Sequence, residues 1–151
     1  MNSRDRQNSS DRLRRKKRNR VGGLRDELSA AVRRFVTIDT ISDLLGVCDR
    51  TVRRWIRTEK LASHKFDGLI RVAENDLRVF IVRARRAGVS LINPIQDTFY
   101  TAEEVAEALG ASLRTVRRRI DSEVLVAHDF FGVIRVADSD LRDYCERCRR
   151  Q

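Results

Sequence analysis

Slid along itself by 64 residues, the chain repeats: residues 35–86 align with 99–150 without a gap, and 25 of the 52 paired positions are identical. Arg50-Thr51-Val52-Arg53-Arg54 returns as Arg114-Thr115-Val116-Arg117-Arg118. Ile70-Arg71-Val72-Ala73 returns as Ile134-Arg135-Val136-Ala137, and Asp76-Leu77-Arg78 as Asp140-Leu141-Arg142. Identity near one half over so short a span exceeds what composition bias yields, so the chain carries two copies of one fold. A copy of 52 residues lies near the lower limit for a core that stands alone, and contact between the copies would help both. The remaining residues divide into 1–23, a segment 24–34, and a linker 87–98 that holds the only proline, Pro94, where Asn93-Pro94 reads as a helix-stopping turn. The second copy takes 99–151.

Each copy reads in the same order. Thr37 and Thr101 are N-cap candidates, and Glu104 completes a capping box in the second copy. The helix after this cap turns Ile41, Leu44 and Leu45 inward, as do Val105, Ala108 and Leu109 in the second copy, and Gly46 or Gly110 stops it. Ser112 caps a second helix, with Cys48 a poorer cap at the equivalent place. Val52 and Ile56, or Val116 and Ile120, form its buried stripe, while Arg and Thr fill the opposite face. Two short β runs come next, Leu61 to Phe66 and Leu69 to Val72, flanking Asp67-Gly68; Phe131-Gly132 stands at that turn in the second copy. A last helix is expected over about 74–86 and 138–149, with Asp76 or Asp140 complementing its dipole. The order is helix, turn, helix, hairpin, helix, which describes a winged helix-turn-helix. The expected fold class is mainly α with small β-hairpin wings, two such domains in tandem after a basic arm.

Charge is unevenly placed. The chain carries 32 Lys+Arg against 22 Asp+Glu, a formal +10, of which residues 1–34 supply +8, residues 35–98 +3 and residues 99–151 −1. The run Arg14, Arg15, Lys16, Lys17 and Arg18 lies among Asn, Ser and Gln with almost no apolar residue to bury, so residues 1–23 read as a disordered basic arm. Such an arm supplies affinity for a polyanion by displacing counterions, or serves only as a solvated tail. Leu24, Leu28, Ala31, Val32 and Phe35 recur at helical spacing and predict a short amphipathic helix that docks on the neighbouring domain or mediates self-association. No stretch approaches the roughly 18 apolar residues of a membrane span. Three cysteines make no disulfide framework, which fits a reducing cytoplasm.

The pattern Thr-x6-Leu-Leu-Gly-Val-x-x-Arg-Thr-Val-x-Arg-Trp-Ile, then Leu, a hairpin, Ile-Arg-Val and Asp-Leu, spans residues 37–77 and, in its second form, 101–141. It resembles the excisionase-type, MerR-like winged helix-turn-helix, whose members include phage and transposon excisionases, transcription regulators and small terminase subunits. Glu59-Lys60-Leu61-Ala62 and Glu123-Val124-Leu125-Val126 stand where that family usually has Gly-x-Leu-Pro, and the family usually has one such domain per chain. The resemblance implies a DNA-binding protein acting beside a recombinase or transposase of a mobile element, nucleoid-associated in a prokaryotic or phage cytoplasm. A transcription regulator, read as a repressor because no ligand-binding or activation domain is evident, would share the same biochemistry.

Base reading is expected from Arg50, Thr51, Arg53, Arg54 and Arg57 in the first copy, and from Arg114, Thr115, Arg117, Arg118 and Arg119 in the second. An Arg-lined helix fits the major groove and meets guanine O6 and N7 with two donors. Asp49 against Leu113, and Trp55 against Arg119, suggest that the copies read unlike sequences, with Trp55 itself packed under the hairpin. The wings are expected on the minor groove or flanking phosphates through Lys65 and His64, while the recurrence of His64 as His128 reads as both histidines serving wing structure rather than catalysis or a metal. Arg71 and Arg135 either pair with Asp76 and Asp140 or meet phosphate. Cys145 and Cys148 lack a second ligand pair for zinc, and no phosphate loop, nucleophile–base pair or carboxylate cluster points to an enzyme, a cofactor or a small-molecule ligand. With about 8–12 phosphates neutralised, log K should fall against log[salt] with a slope of roughly −7 to −11. Two other readings remain: RNA binding or packaging through the arm, and an adaptor using segment 24–34.

Overall fold

The structure, a computed structural model, describes residues 34–90 and 93–150. The basic arm and residues Leu24 to Val32 of the expected first helix lie outside them. From Phe35 onward the chain forms one compact unit.

The first repeat runs β1 (Phe35–Val36), α1 (Ile38–Leu45), α2 (Asp49–Arg57), β2 (His64–Phe66), β3 (Leu69–Ala73) and α3 (Glu74–Ala84). After a 3-10 turn at Pro94–Gln96 comes the second repeat: β4 (Phe99–Tyr100), α4 (Ala102–Leu109), α5 (Leu113–Asp121), β5 (His128–Phe130), β6 (Val133–Ala137) and α6 (Asp138–Arg147). Each repeat thus carries a three-stranded antiparallel sheet, in the orders β1-β3-β2 and β4-β6-β5. The short first strand was not legible in the sequence. Phe35, placed by spacing on an amphipathic helix, pairs instead with Ala73, because a strand at that point closes the open edge of β3.

Capping chemistry fixes the helix starts. Thr37 accepts from the Thr40 amide, Thr101 and Glu104 form the reciprocal box, and Ser112 accepts from the Thr115 amide. Cys48 makes no side-chain cap, as its weaker acceptor predicts. At the end of α1, Gly46 adopts φ 62°, and its amide donates to the Ser42 carbonyl.

The core is unequal between the repeats. Phe99, Phe130 and Ala137 of the second repeat belong to the same apolar cluster as Ile38, Ile41, Leu45, Val52, Trp55, Leu61, Val72, Leu77, Phe80 and Ile81 of the first. The second repeat keeps a smaller core of its own around Val105, Val116, Ile120, Leu125 and Val136. Two domains near the size limit therefore meet their burial requirement by sharing one. Leu45 is fully buried, whereas its counterpart Leu109 is 37% exposed. Ala108 is exposed too, with Val105 and Ala106 the buried pair on α4. The expected inward facing of Ala108 and Leu109 fails because a second domain covers the end of α1, and among the described residues nothing covers the end of α4.

The helix ends differ from expectation for a related reason. α3 stops at Ala84, not Arg86, since Arg85 turns extended and bridges to His128 while the Arg86 amide donates to the Ala127 carbonyl at 2.9 Å. The chain leaving the first repeat thereby pairs with the outer edge of β5. α6 likewise ends at Arg147.

Candidate nucleic-acid interface

On α2, Val52 and Trp55 face the core, Ile56 is half-buried, and Arg50, Arg53, Arg54 and Arg57 point to solvent. The 3.6-residue period makes this division: apolar residues three and four apart fall on one side and the arginines between them on the other. On α5, Val116 and Ile120 are buried while Arg114, Arg117, Arg118 and Arg119 are exposed. Arg117 lies 3.5 Å from Glu103. The other seven arginines enter no ion pair among the described residues. Each helix therefore presents a row of fixed positive charges at its surface with donors uncommitted, the arrangement a phosphate or a guanine edge requires.

Thr51 and Thr115 are half-buried, and their hydroxyls turn to the helix N-terminus. Thr51 Oγ1 sits 3.3 Å from Cys48 Sγ, and Thr115 Oγ1 sits 2.9 Å from Ser112 Oγ. The contact with Thr51 holds the Cys48 thiol below its ordinary pKa. Both threonines thus help to fix the start of the helix that carries the arginines.

At the two places expected to tune readout, the residues of the first repeat make protein contacts. Asp49 accepts from Ser42 Oγ at 2.6 Å, tying α2 to α1, and Leu113 takes that place in the second repeat. Trp55 is buried against Phe80 at 5.2 Å and against Phe130, in the hairpin of the other repeat, at 5.9 Å. Arg119, and Arg57 against Asp121, are the exposed differences that remain.

The wings part company. Lys65 is exposed at the centre of β2, opposite Ile70, and Phe66 at its end is 47% exposed. Their counterparts are committed to protein. Phe130 is fully buried, stacked on Phe80 at 5.4 Å, and Asp129 receives Arg86 at 3.3 Å. His64 packs on Phe35 and Phe66, and His128 on Phe99 and Phe130, so both imidazoles serve their hairpins. The second wing differs from the first in that its strand β5 lies against α3. Arg135 does not pair with Asp140. It donates to the Leu45 and Gly46 carbonyls at 3.0 and 2.7 Å, and Asp140 is held by Arg85 through two bonds of 2.7 Å. Arg71 donates to the Ile70 carbonyl at 2.8 Å and pairs with no carboxylate among the described residues. Sequence reasoning missed these contacts between the repeats, although Phe131 in place of Asp67 at a tight turn was a visible sign of them.

The arrangement is helix, turn, Arg-faced helix, hairpin and helix, made twice. A family model described as a helix-turn-helix domain matches residues 35–85 and again 99–149. The chain belongs to that helix-turn-helix family. It carries the domain in tandem and in the excisionase-type form, and the domain is a DNA-binding one. No curated protein and no solved structure matches the chain. Among the described residues, no cluster of three or more His, Cys, Asp or Glu could hold a metal ion, and no helix is long and apolar enough to cross a membrane.

Proposed function

We propose that this tandem helix-turn-helix protein binds a specific double-stranded DNA site, with α2 and α5 in two major grooves. Arg50, Arg53, Arg54 and Arg57, and Arg114, Arg117, Arg118 and Arg119, read bases or fix the helices to phosphate, while Thr51 and Thr115 set the helix ends. Lys65 contacts the backbone beside the first head, and Arg14, Arg15, Lys16, Lys17 and Arg18 add counterion-driven affinity. The observation that carries this reading is the pair of solvent-facing arginine rows on the second helix of each domain, almost all without an acidic partner. The excisionase-type domain favours an architectural role beside a recombinase or transposase of a mobile element.

Selection of bound duplexes from a random pool at roughly 150 mM salt tests it, since non-specific binding is suppressed there. An enriched bipartite motif is expected, and replacing Arg53 and Arg54, or Arg117 and Arg118, with Ala should relax one half of it by about 1–3 kcal/mol per lost base contact. Recovery of no motif, with binding that collapses once residues 1–20 are removed, would return the protein to non-specific, arm-driven attachment.

A further inference from the structure

Seen as a pair, the two hairpins have exchanged tasks at single positions. Lys65 and Asp129 occupy the same register, opposite Ile70 and Ile134. The lysine is exposed, whereas the aspartate receives Arg86 and also accepts from the Gly132 amide at 2.7 Å. At the turn, Asp67 suits a backbone with φ 48°, but Phe131 takes up φ 55°, where a bulky side chain is strained. Its ring lies 6.1 Å from Phe80, with Lys60 Nζ 4.0 Å above it. Phe131 is still 54% exposed, so these contacts across the repeat boundary add to those of the fully buried Phe130 beside it. On the far side of the same sheet Arg135 grips the carbonyls that end α1, beside the turn leading into α2. Burial lowers the pKa of that guanidinium, and its three hydrogen-bonded nitrogens offset the desolvation.

From these contacts we infer that the second wing is a clamp which locks the two heads into one rigid reader. The DNA target then has two half-sites at a single allowed spacing, one bound by helix and wing and the other by helix alone. The inference rests on the DNA reading above. A flexible tether would let each head find its half-site separately, at a range of spacings. A clamp forbids this, because each inserted base pair turns the second half-site by roughly 34–36° away from a head that cannot follow.

Two measurements separate the clamp from the reading. In the free full-length protein, exchange of the Arg86 amide, bonded across the boundary to Ala127, should be as slow as that of the core amides of α2. Exchange at least about 100-fold faster would mean that the heads move independently, whatever the protein binds. On the selected duplex, inserting one to five base pairs between the half-sites should weaken binding at least about tenfold. Combining Phe131→Asp with Asp129→Ala and Arg135→Ala, which removes the ring contact, the Arg86 ion pair and the grip on the end of α1, should let the protein tolerate the insertions. Unchanged affinity of the native protein across the insertions overturns the proposal. A slow Arg86 amide with no selected duplex would leave the clamp standing and remove the DNA reading.

Discussion

The hairpins of the two repeats, 64–73 and 128–137, share strand lengths, register and seven of their ten residues, yet one projects into solvent and the other fills a protein interface. The first ends in Phe66, 47% exposed, and the second in the fully buried Phe130. The difference teaches that a duplicated domain need not keep a duplicated surface. Once one copy's wing is buried against the other copy, its sequence answers to packing. Asp129 and Phe131 then suit a neighbouring helix, where Lys65 and Asp67 suit water. The last helices differ in the same way. α3 offers Val79, Phe80 and Ala84 at positions where the second repeat has Asp143, Tyr144 and Cys148, so the helix that carries the apolar residues is the one with a wing to cover.

The contrast breaks most sharply at its aromatic centre. Phe130→Ala should destabilise the folded protein by about 3–5 kcal/mol, and Phe66→Ala by less than about 1 kcal/mol, as read from urea unfolding. Similar losses for both would show that the wings are not differently buried. Next come the equivalent arginines. Arg85→Ala leaves Asp140, only 5% exposed, without its counter-ion and should cost about 3–5 kcal/mol. Its twin Arg149 lies at the surface beside Glu146, and replacing it with Ala should leave the unfolding midpoint where it is.

The histidines add a pH window. Burial, the main cause, pushes the pKa of His128 down from 6.5 to about 4. Between those values the unfolded chain binds the proton that the folded one excludes. Stability from this group is therefore complete above pH 6.5, falls as the pH drops toward 4, and changes no further below that. His128→Phe should flatten the melting temperature across this window, with His64→Phe as the control in the half-buried site. An equal slope in native protein and His128→Phe would mean that His128 is not the group responsible.

The smallest expected effect is one in which the repeats should agree. Glu59 and Glu123, just past α2 and α5, hold φ 58° and 56°, the left-handed region that favours glycine. Replacing either with Gly should stabilise by about 1 kcal/mol. Unequal gains would mean that one of these turns has a tertiary restraint beyond its backbone conformation.

Much of the fold was legible because it rests on local chemistry. Thr37, Thr101 with Glu104, and Ser112 announced helix starts, Gly46 and Gly110 announced stops, and period 3.6 put Val52 and Val116 on the side away from the arginines. The candidate site was legible for the same reason. The arginine rows are the polar faces of two amphipathic helices, and the polar face of a helix can be derived from its sequence. Where the reading failed, the residue had a partner far along the chain. Leu109, Ala108, Arg135 and Asp140 each differ from expectation through a contact, or its lack, between repeats. Phe35 differs because its partner Ala73 lies 38 residues away.

By itself, then, the sequence determined that there are two copies, the order of elements in each, and which helix face carries the arginines. Repeat identity and short-range periodicity encode those properties directly. Only the tertiary structure decided that the second wing packs against the first repeat, that Trp55 meets the hairpin of the other repeat, that Asp49 bonds to α1, and that the repeats share a core. Two copies of about 50 residues bury too little surface alone, and identical local sequences cannot say which of two equivalent faces will be covered. That choice rests on long-range complementarity, Phe80 on Phe130, Arg86 with Asp129 and Arg85 with Asp140, which exists only once the chain has folded back on itself.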